Sequence, residues 1–225
     1  MIAIKQNLII IFNLIKGFFT IDNVGAFVLP IELRLQDQEF LKYIHLDVDW
    51  DVDSISAEDL PDEFSSHAVK LIDLFRRKTA NLPYECMLYF DYKTGQIIYC
   101  FIGDNERGRV RGEIYEEHFE GMNVASIHNH PEGFLSPPSG TNFQILEIKN
   151  EKYELICGYD EFWILEAEGT FDSKVVDDIR KNTSYFYFNS FKYENQVNKT
   201  YGEFLVRYIN DEVKDNIKLI RVRYR

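Results

Sequence analysis

Cysteine is scarce in this chain, with three in 225 residues, at Cys86, Cys100 and Cys157. Three separated thiols cannot make a disulfide framework, and their spacing contains no Cys-x-x-Cys pair, so a reducing cytoplasm is the expected compartment. A glycine-rich phosphate loop is absent, as are internal repeats and low-complexity tracts. Basic charge is in deficit: 25 Lys and Arg stand against 37 Asp and Glu, a net charge of −12. That balance argues against nucleic acid or an anionic membrane as general partner and favours a basic or mixed-charge protein surface. No long uninterrupted apolar run is present either. Met1 to Leu29 is rich in Ile, Leu and Phe, but Lys5, Asn7, Asn13, Lys16 and Asp22 interrupt it. A membrane span needs about 20 predominantly apolar residues, and no small-residue cleavage site follows, so this stretch is expected to pack on the domain as a helix or strand. What is present suits a folded chain of one or two domains: 45% hydrophobic, 15% aromatic and 28% charged residues.

The densest chemistry lies in His128-Asn-His-Pro-Glu-Gly-Phe-Leu-Ser-Pro-Pro-Ser-Gly-Thr-Asn142. On an extended strand His128 and His130 point to one face, so both imidazoles can reach a single ion, while Asn129 points away. Pro131 ends the strand by removing a ladder donor. A proline-rich loop then leads to Ser139, which reads as the cap of a helix running through Phe143 to Ile148, with Asn142 one turn inside.

These residues resemble the signature of the JAMM metalloproteases, also called JAB or MPN-plus domains: His-x-His-Pro, seven residues, then Ser-x-x-Asp. Pro131 and Ser139 bracket seven residues, as the signature requires. The wording His-Asn-His-Pro with Pro-Pro-Ser-Gly is closer to the prokaryotic and phage-associated, RadC-like branch than to the eukaryotic deubiquitinases. The resemblance implies that His128 and His130 bind zinc, that position 142 supplies the third protein ligand, and that water completes a tetrahedron. It also implies an upstream glutamate as general base, for which Glu85 fits best, at the head of the apolar run Cys86 to Asp91. Ser139 takes the oxyanion role, worth about 3 kcal/mol where such donors have been removed. The implied activity is hydrolysis of a peptide or isopeptide bond in a protein or peptide substrate, ubiquitin-like tails included.

The sequence departs from the signature at Asn142. An amide offers zinc a dipole where a carboxylate brings a full negative charge, so affinity should fall unless another carboxylate, such as Glu132, moves in. Three readings stand side by side: a naturally inactive relative, a weakened hydrolase, and a variant disarmed to trap substrate. A non-catalytic JAB-like protein-binding module is the alternative function. Other His-x-His chemistries fit less well. Metallo-β-lactamases need His-x-His-x-Asp-His where this chain continues Pro131-Glu132-Gly133, and nucleoside deaminases need a Pro-Cys-x-x-Cys that is missing.

The expected architecture is a mixed-sheet α/β sandwich of the JAB type with additions at both ends: residues 1–79 as an extension with an opening helix, 80–170 as the JAB-like domain, and 171–225 as a helical and strand extension. Strict alternation over Leu46 to Asp53 predicts a strand with a solvated row of aspartates. Ser56 is expected to cap a mostly helical segment reaching Arg76-Arg77-Lys78. A hairpin should turn at Lys93 to Gly95 between strands 85–91 and 96–102. Gly103 to Gly112, with Arg107, Arg109 and Arg111, reads as a polar loop, followed by a short helix over 113–120. Strands are expected at 124–130, 153–157, 161–166 and 217–224, and helices at 173–181 and 201–213.

Overall fold

The computed structural model describes residues 25–28, 48–102, 114–131, 134–143, 151–168, 173–190 and 197–225. The Arg107 to Arg111 loop, Glu132 and the expected helix beyond Phe143 lie outside the described residues. So does the N-terminal apolar segment apart from 25–28.

The chain is mixed α/β, built on one seven-stranded sheet. Its strands are β1 (Gly25–Val28), β2 (Cys86–Asp91), β3 (Ile97–Ile102), β4 (Val124–Asn129), β5 (Glu151–Cys157), β6 (Glu161–Ala167) and β7 (Ile217–Arg223), in the spatial order β1-β3-β2-β4-β5-β6-β7. Every neighbouring pair is antiparallel except β4 and β5, which run parallel. Helix α1 (Ser66–Thr79) covers one face, and α2 (Ser173–Ser190) and α3 (Val197–Glu212) cover the other. No described helix is long and apolar enough to cross a membrane.

Two covered faces explain the strand sequences, because central strands buried on both sides carry near-continuous apolar runs. Ala68, Leu71, Ile72 and Phe75 of α1 pack on Leu88, Phe90, Ile127, Leu155 and Ile164. On the opposite face Val176 and Ile179 of α2 and Tyr201, Leu205 and Ile209 of α3 enclose Ile156, Trp163, Leu165 and Leu219. Residues 171–225 therefore contribute an edge strand and a helical layer to the same core. Ser65 caps α1 by accepting from the Ala68 amide at 3.1 Å. The β2–β3 turn closes where Asp91 Oδ1 accepts from the amides of Lys93 and Thr94 at 2.8 and 2.9 Å. Gly95 there has φ of 79°, and a Cβ would stand 2.9 Å from the backbone of His67 and Ala68, so only glycine fits.

The expected strand over Leu46 to Asp53 is not formed in its described part, residues 48–53. Asp49 Oδ1 accepts from the Asp51 amide at 3.1 Å, an Asx-type turn that breaks the extended chain. Arg77 then holds the turn by donating to the carbonyls of Trp50 and Val52 at 2.9 and 2.8 Å. The helical segment expected from Ser56 is likewise split. A capping box formed by Ser56 and Asp59 starts only a 3₁₀ turn, Ala57–Asp59, and α1 begins anew at Ser66. The short helix expected over 113–120 reduces to a 3₁₀ turn at Glu116–Phe119.

Candidate metal centre

The parallel pairing of β4 and β5 requires a crossover, and that crossover carries the histidine motif. Its first residues leave the carboxyl end of β4 where the pairing changes from antiparallel, with β2, to parallel, with β5; such a switch opens a crevice above the strand ends. His128 and His130 sit at that point. The His130 backbone is pinned by its amide donating to the Cys157 carbonyl at 2.9 Å. Three elements then fold the loop back over the histidines. Tyr201 of α3 donates its hydroxyl to the Pro138 carbonyl at 2.8 Å, and Ser136 bonds Asp160 in the β5–β6 turn. Gly140 lies so close to α2 that a Cβ would meet Ser184 Oγ at 2.6 Å and the Arg180 carbonyl at 3.1 Å.

The result brings His128, His130, Ser139 and Asn142 together. His130 Nδ1 lies 2.7 Å from the Leu135 carbonyl, a distance at which it must donate its proton, leaving Nε2 with a free lone pair. His128 Nε2 faces Asn142 Nδ2 at 3.1 Å and accepts from it, so this nitrogen too is unprotonated. The two Nε2 atoms face each other at 3.1 Å. The His130 lone pair is free and that of His128 is taken up by the Asn142 amide, so a cation seated between the two nitrogens would displace that one hydrogen bond; two nitrogens on a tetrahedral zinc stand roughly 3.3 Å apart. Burial, with His130 beside it, holds the His128 imidazole well below its ordinary pKa, and burial pushes His130 down to about 4. Both are therefore neutral near pH 7, the form that binds metal.

Asn142 joins the centre differently. Its Oδ1 accepts from the Ser139 amide at 2.6 Å and from Ser139 Oγ at 3.0 Å, the return half of a capping box. That pattern fixes which end is which, and Nδ2 points to the histidines. An amide nitrogen has no lone pair to offer, so ligation by Asn142 requires the group to turn over and give up both bonds to Ser139. Among the described residues no three His, Cys, Asp or Glu side chains stand together to hold a metal ion. The histidine pair thus fits zinc, and a charged third ligand is what the set lacks.

Glu85 immediately precedes β2 and is half-buried. The β2–β4 ladder pairs Met87 with His128, and continuing it two residues places Glu85 opposite His130. Asn129, between the two histidines but on the other face, secures this neighbourhood: its Oδ1 accepts from the Cys86 amide at 2.6 Å and its Nδ2 donates to the Tyr84 carbonyl at 3.0 Å. Replacing Asn129 with Ala leaves a buried donor and acceptor unpaired, so a loss of about 2–4 kcal/mol in denaturant unfolding is expected. An unchanged midpoint would show that this clasp contributes nothing.

No protein-family model, curated protein or solved structure matches this chain.

Two buried carboxylates stand on the histidine face without having been singled out in the sequence. In the β4–β5 register Ser126 pairs with Glu154 and His128 with Ile156, and a bulge at the start of β5 offsets Glu151. Glu151 and Glu154 are 6% and 5% exposed. Burial pushes the Glu151 carboxyl up to about 8; burial, with Glu151 nearby, raises Glu154 well above the usual range. The available signal was a charged residue in the otherwise apolar run Tyr153-Glu154-Leu155-Ile156-Cys157.

Proposed function

We propose that this chain is a JAMM-type zinc-dependent hydrolase of peptide or isopeptide bonds, weakened by Asn142, on a JAB/MPN-type sandwich. The observation that carries the reading is the convergence of the two Nε2 atoms to 3.1 Å at the end of β4. The His-x-His-Pro spacing, the Ser139-x-x-Asn142 turn and the place of Glu85 opposite His130 all support it. His128 and His130 would hold the ion, and zinc bound there supplies Lewis acidity toward a scissile carbonyl. Glu85 accepts a proton from the attacking water and returns it to the leaving amine. Ser139, whose Oγ now bonds Thr141 Oγ1 at 2.7 Å and Asn142, turns its hydroxyl toward the developing oxyanion. The substrate is a protein or peptide, with a ubiquitin-like tail the class to try first.

A second reading, a JAB-like module that binds protein without cleaving it, is favoured by one observation, the Asn142 Nδ2 turned toward the histidines. Hydrolysis of an isopeptide-linked ubiquitin-like reporter by the zinc-loaded chain separates the two. Glu85→Gln should lower the rate by about 10²–10⁴-fold. A variant that kept its rate would remove Glu85 from the chemistry. No turnover by either the unaltered chain or its Asn142→Asp variant would leave the binding module.

A further inference from the structure

The centre as it stands has two neutral imidazoles and a neutral amide, so a divalent ion placed there meets no compensating charge from its nearest groups. A carboxylate beside it is Glu154, on the neighbouring parallel strand and on the same face as His128. Glu154 Oε1 accepts from Asn142 Nδ2 at 3.0 Å and stands 3.4 Å from His128 Nδ1. His128 Nδ1 is buried and makes no hydrogen bond in this arrangement. Among the described residues no lysine or arginine pairs with Glu154. A carboxylate buried this deeply without a cation is expensive to keep, and the cost falls when a positive ion binds nearby.

We propose that Glu154 supplies the negative charge of this centre in place of the carboxylate missing at position 142. It acts as a positioning residue, through Asn142 and through His128, whose Nδ1–H it faces in the way that outer carboxylates orient ligating imidazoles. The inference rests on the zinc-centre reading above. It also gives Asn142 a reason: an aspartate there would set two carboxyl groups 3.0 Å apart in a buried site, where only one of them can ionise, whereas the amide donates to Glu154 and leaves the charge to it. Residues 142 and 154 thus form a polar pair in which the charge has changed sides, and the pair should be exchangeable.

The test is a double-mutant cycle on the full chain, with zinc affinity of the chelator-stripped proteins read by calorimetry and the metal-free melting temperature read alongside. Glu154→Gln preserves shape and an acceptor while removing the charge, and should weaken zinc binding by about 10–100-fold. Asn142→Asp alone should lower the metal-free melting temperature. When Asn142→Asp and Glu154→Gln are combined, the new carboxylate at position 142 accepts from the new amide at position 154. Both melting temperature and zinc affinity should then return to at least the levels of the unaltered chain. This double variant also serves if Glu154→Gln alone fails to fold. The inference is overturned, with the centre intact, if Glu154→Gln binds zinc within about twofold of the unaltered chain and the double variant binds no more tightly than Glu154→Gln. If neither the unaltered chain nor Asn142→Asp binds zinc, the centre itself is overturned, and this inference with it.

Discussion

Replacing His128 with alanine should abolish zinc binding while leaving the fold in place. The loss should exceed the roughly 10–100-fold typical of removing an outer partner, because one of the two converging imidazole nitrogens disappears. The fold should survive because His128 contributes little to it. Its Nδ1 lacks a hydrogen bond, and Asn142, which loses an acceptor, keeps its bond to Glu154. Ile127, one residue earlier, points to the opposite face and packs in the core beneath α1. Ile127→Ala is therefore the control with the inverse outcome, a loss of about 2–5 kcal/mol in stability with the histidines still converging. Calorimetric zinc titration and denaturant melts of the two variants check both halves. Stoichiometric zinc retained by His128→Ala would refute the ligand assignment.

A second large effect concerns pH. Glu151 is buried, its Oε2 makes no hydrogen bond, and burial pushes its carboxyl up to about 8. An unfolded glutamate titrates near about 4.3. The native state therefore keeps a proton that the unfolded chain has released. The stability tied to it is fully present below the unfolded value and is lost as pH rises through about 8. Glu154 shifts in the same direction. His128 and His130 are displaced downward, so their contribution is complete above about pH 6.5 and is lost as pH falls. The interval from about pH 6.5 to 9 isolates the carboxylates. There Glu151 should cost the metal-free chain about 2 kcal/mol, at about 1.4 kcal/mol per pKa unit up to its value of about 8. Glu151→Gln should flatten the profile, as read from melting temperatures across the interval. A flat profile in the unaltered chain would mean that the carboxyl is already ionised at neutral pH.

The parts of the fold that could be read in the sequence are those where local pattern and tertiary role agree. The β2–β3 hairpin was legible because Asp91 and Gly95 make a turn with mostly local chemistry, and the strand at 161–167 because its apolar run Phe162 to Leu165 had nowhere to go but a buried sheet. Alternation misled at Leu46 to Asp53. A period of two says that alternate residues differ, and aspartates able to bond their own backbone satisfy that pattern in a turn as readily as on a strand face. The reach of α2 to Ser190, well past the expected end at Lys181, follows from a partner helix that no local signal announces.

By itself the sequence determined that His128 and His130 share a face, because strand geometry allows no other arrangement at that spacing, and that Ser139 and Asn142 meet across one turn. The tertiary structure alone decided the rest. Folding a loop of more than ten residues back over β4 depends on contacts from Tyr201, Asp160 and Arg180, each far along the chain from the residue it holds. The orientation of Asn142 depends on which neighbours donate and which accept. Glu154 is 26 residues from His128, yet lies beside it because β5 runs parallel to β4. Strand pairing is a long-range choice, settled by the burial of two faces at once, and no local pattern encodes it.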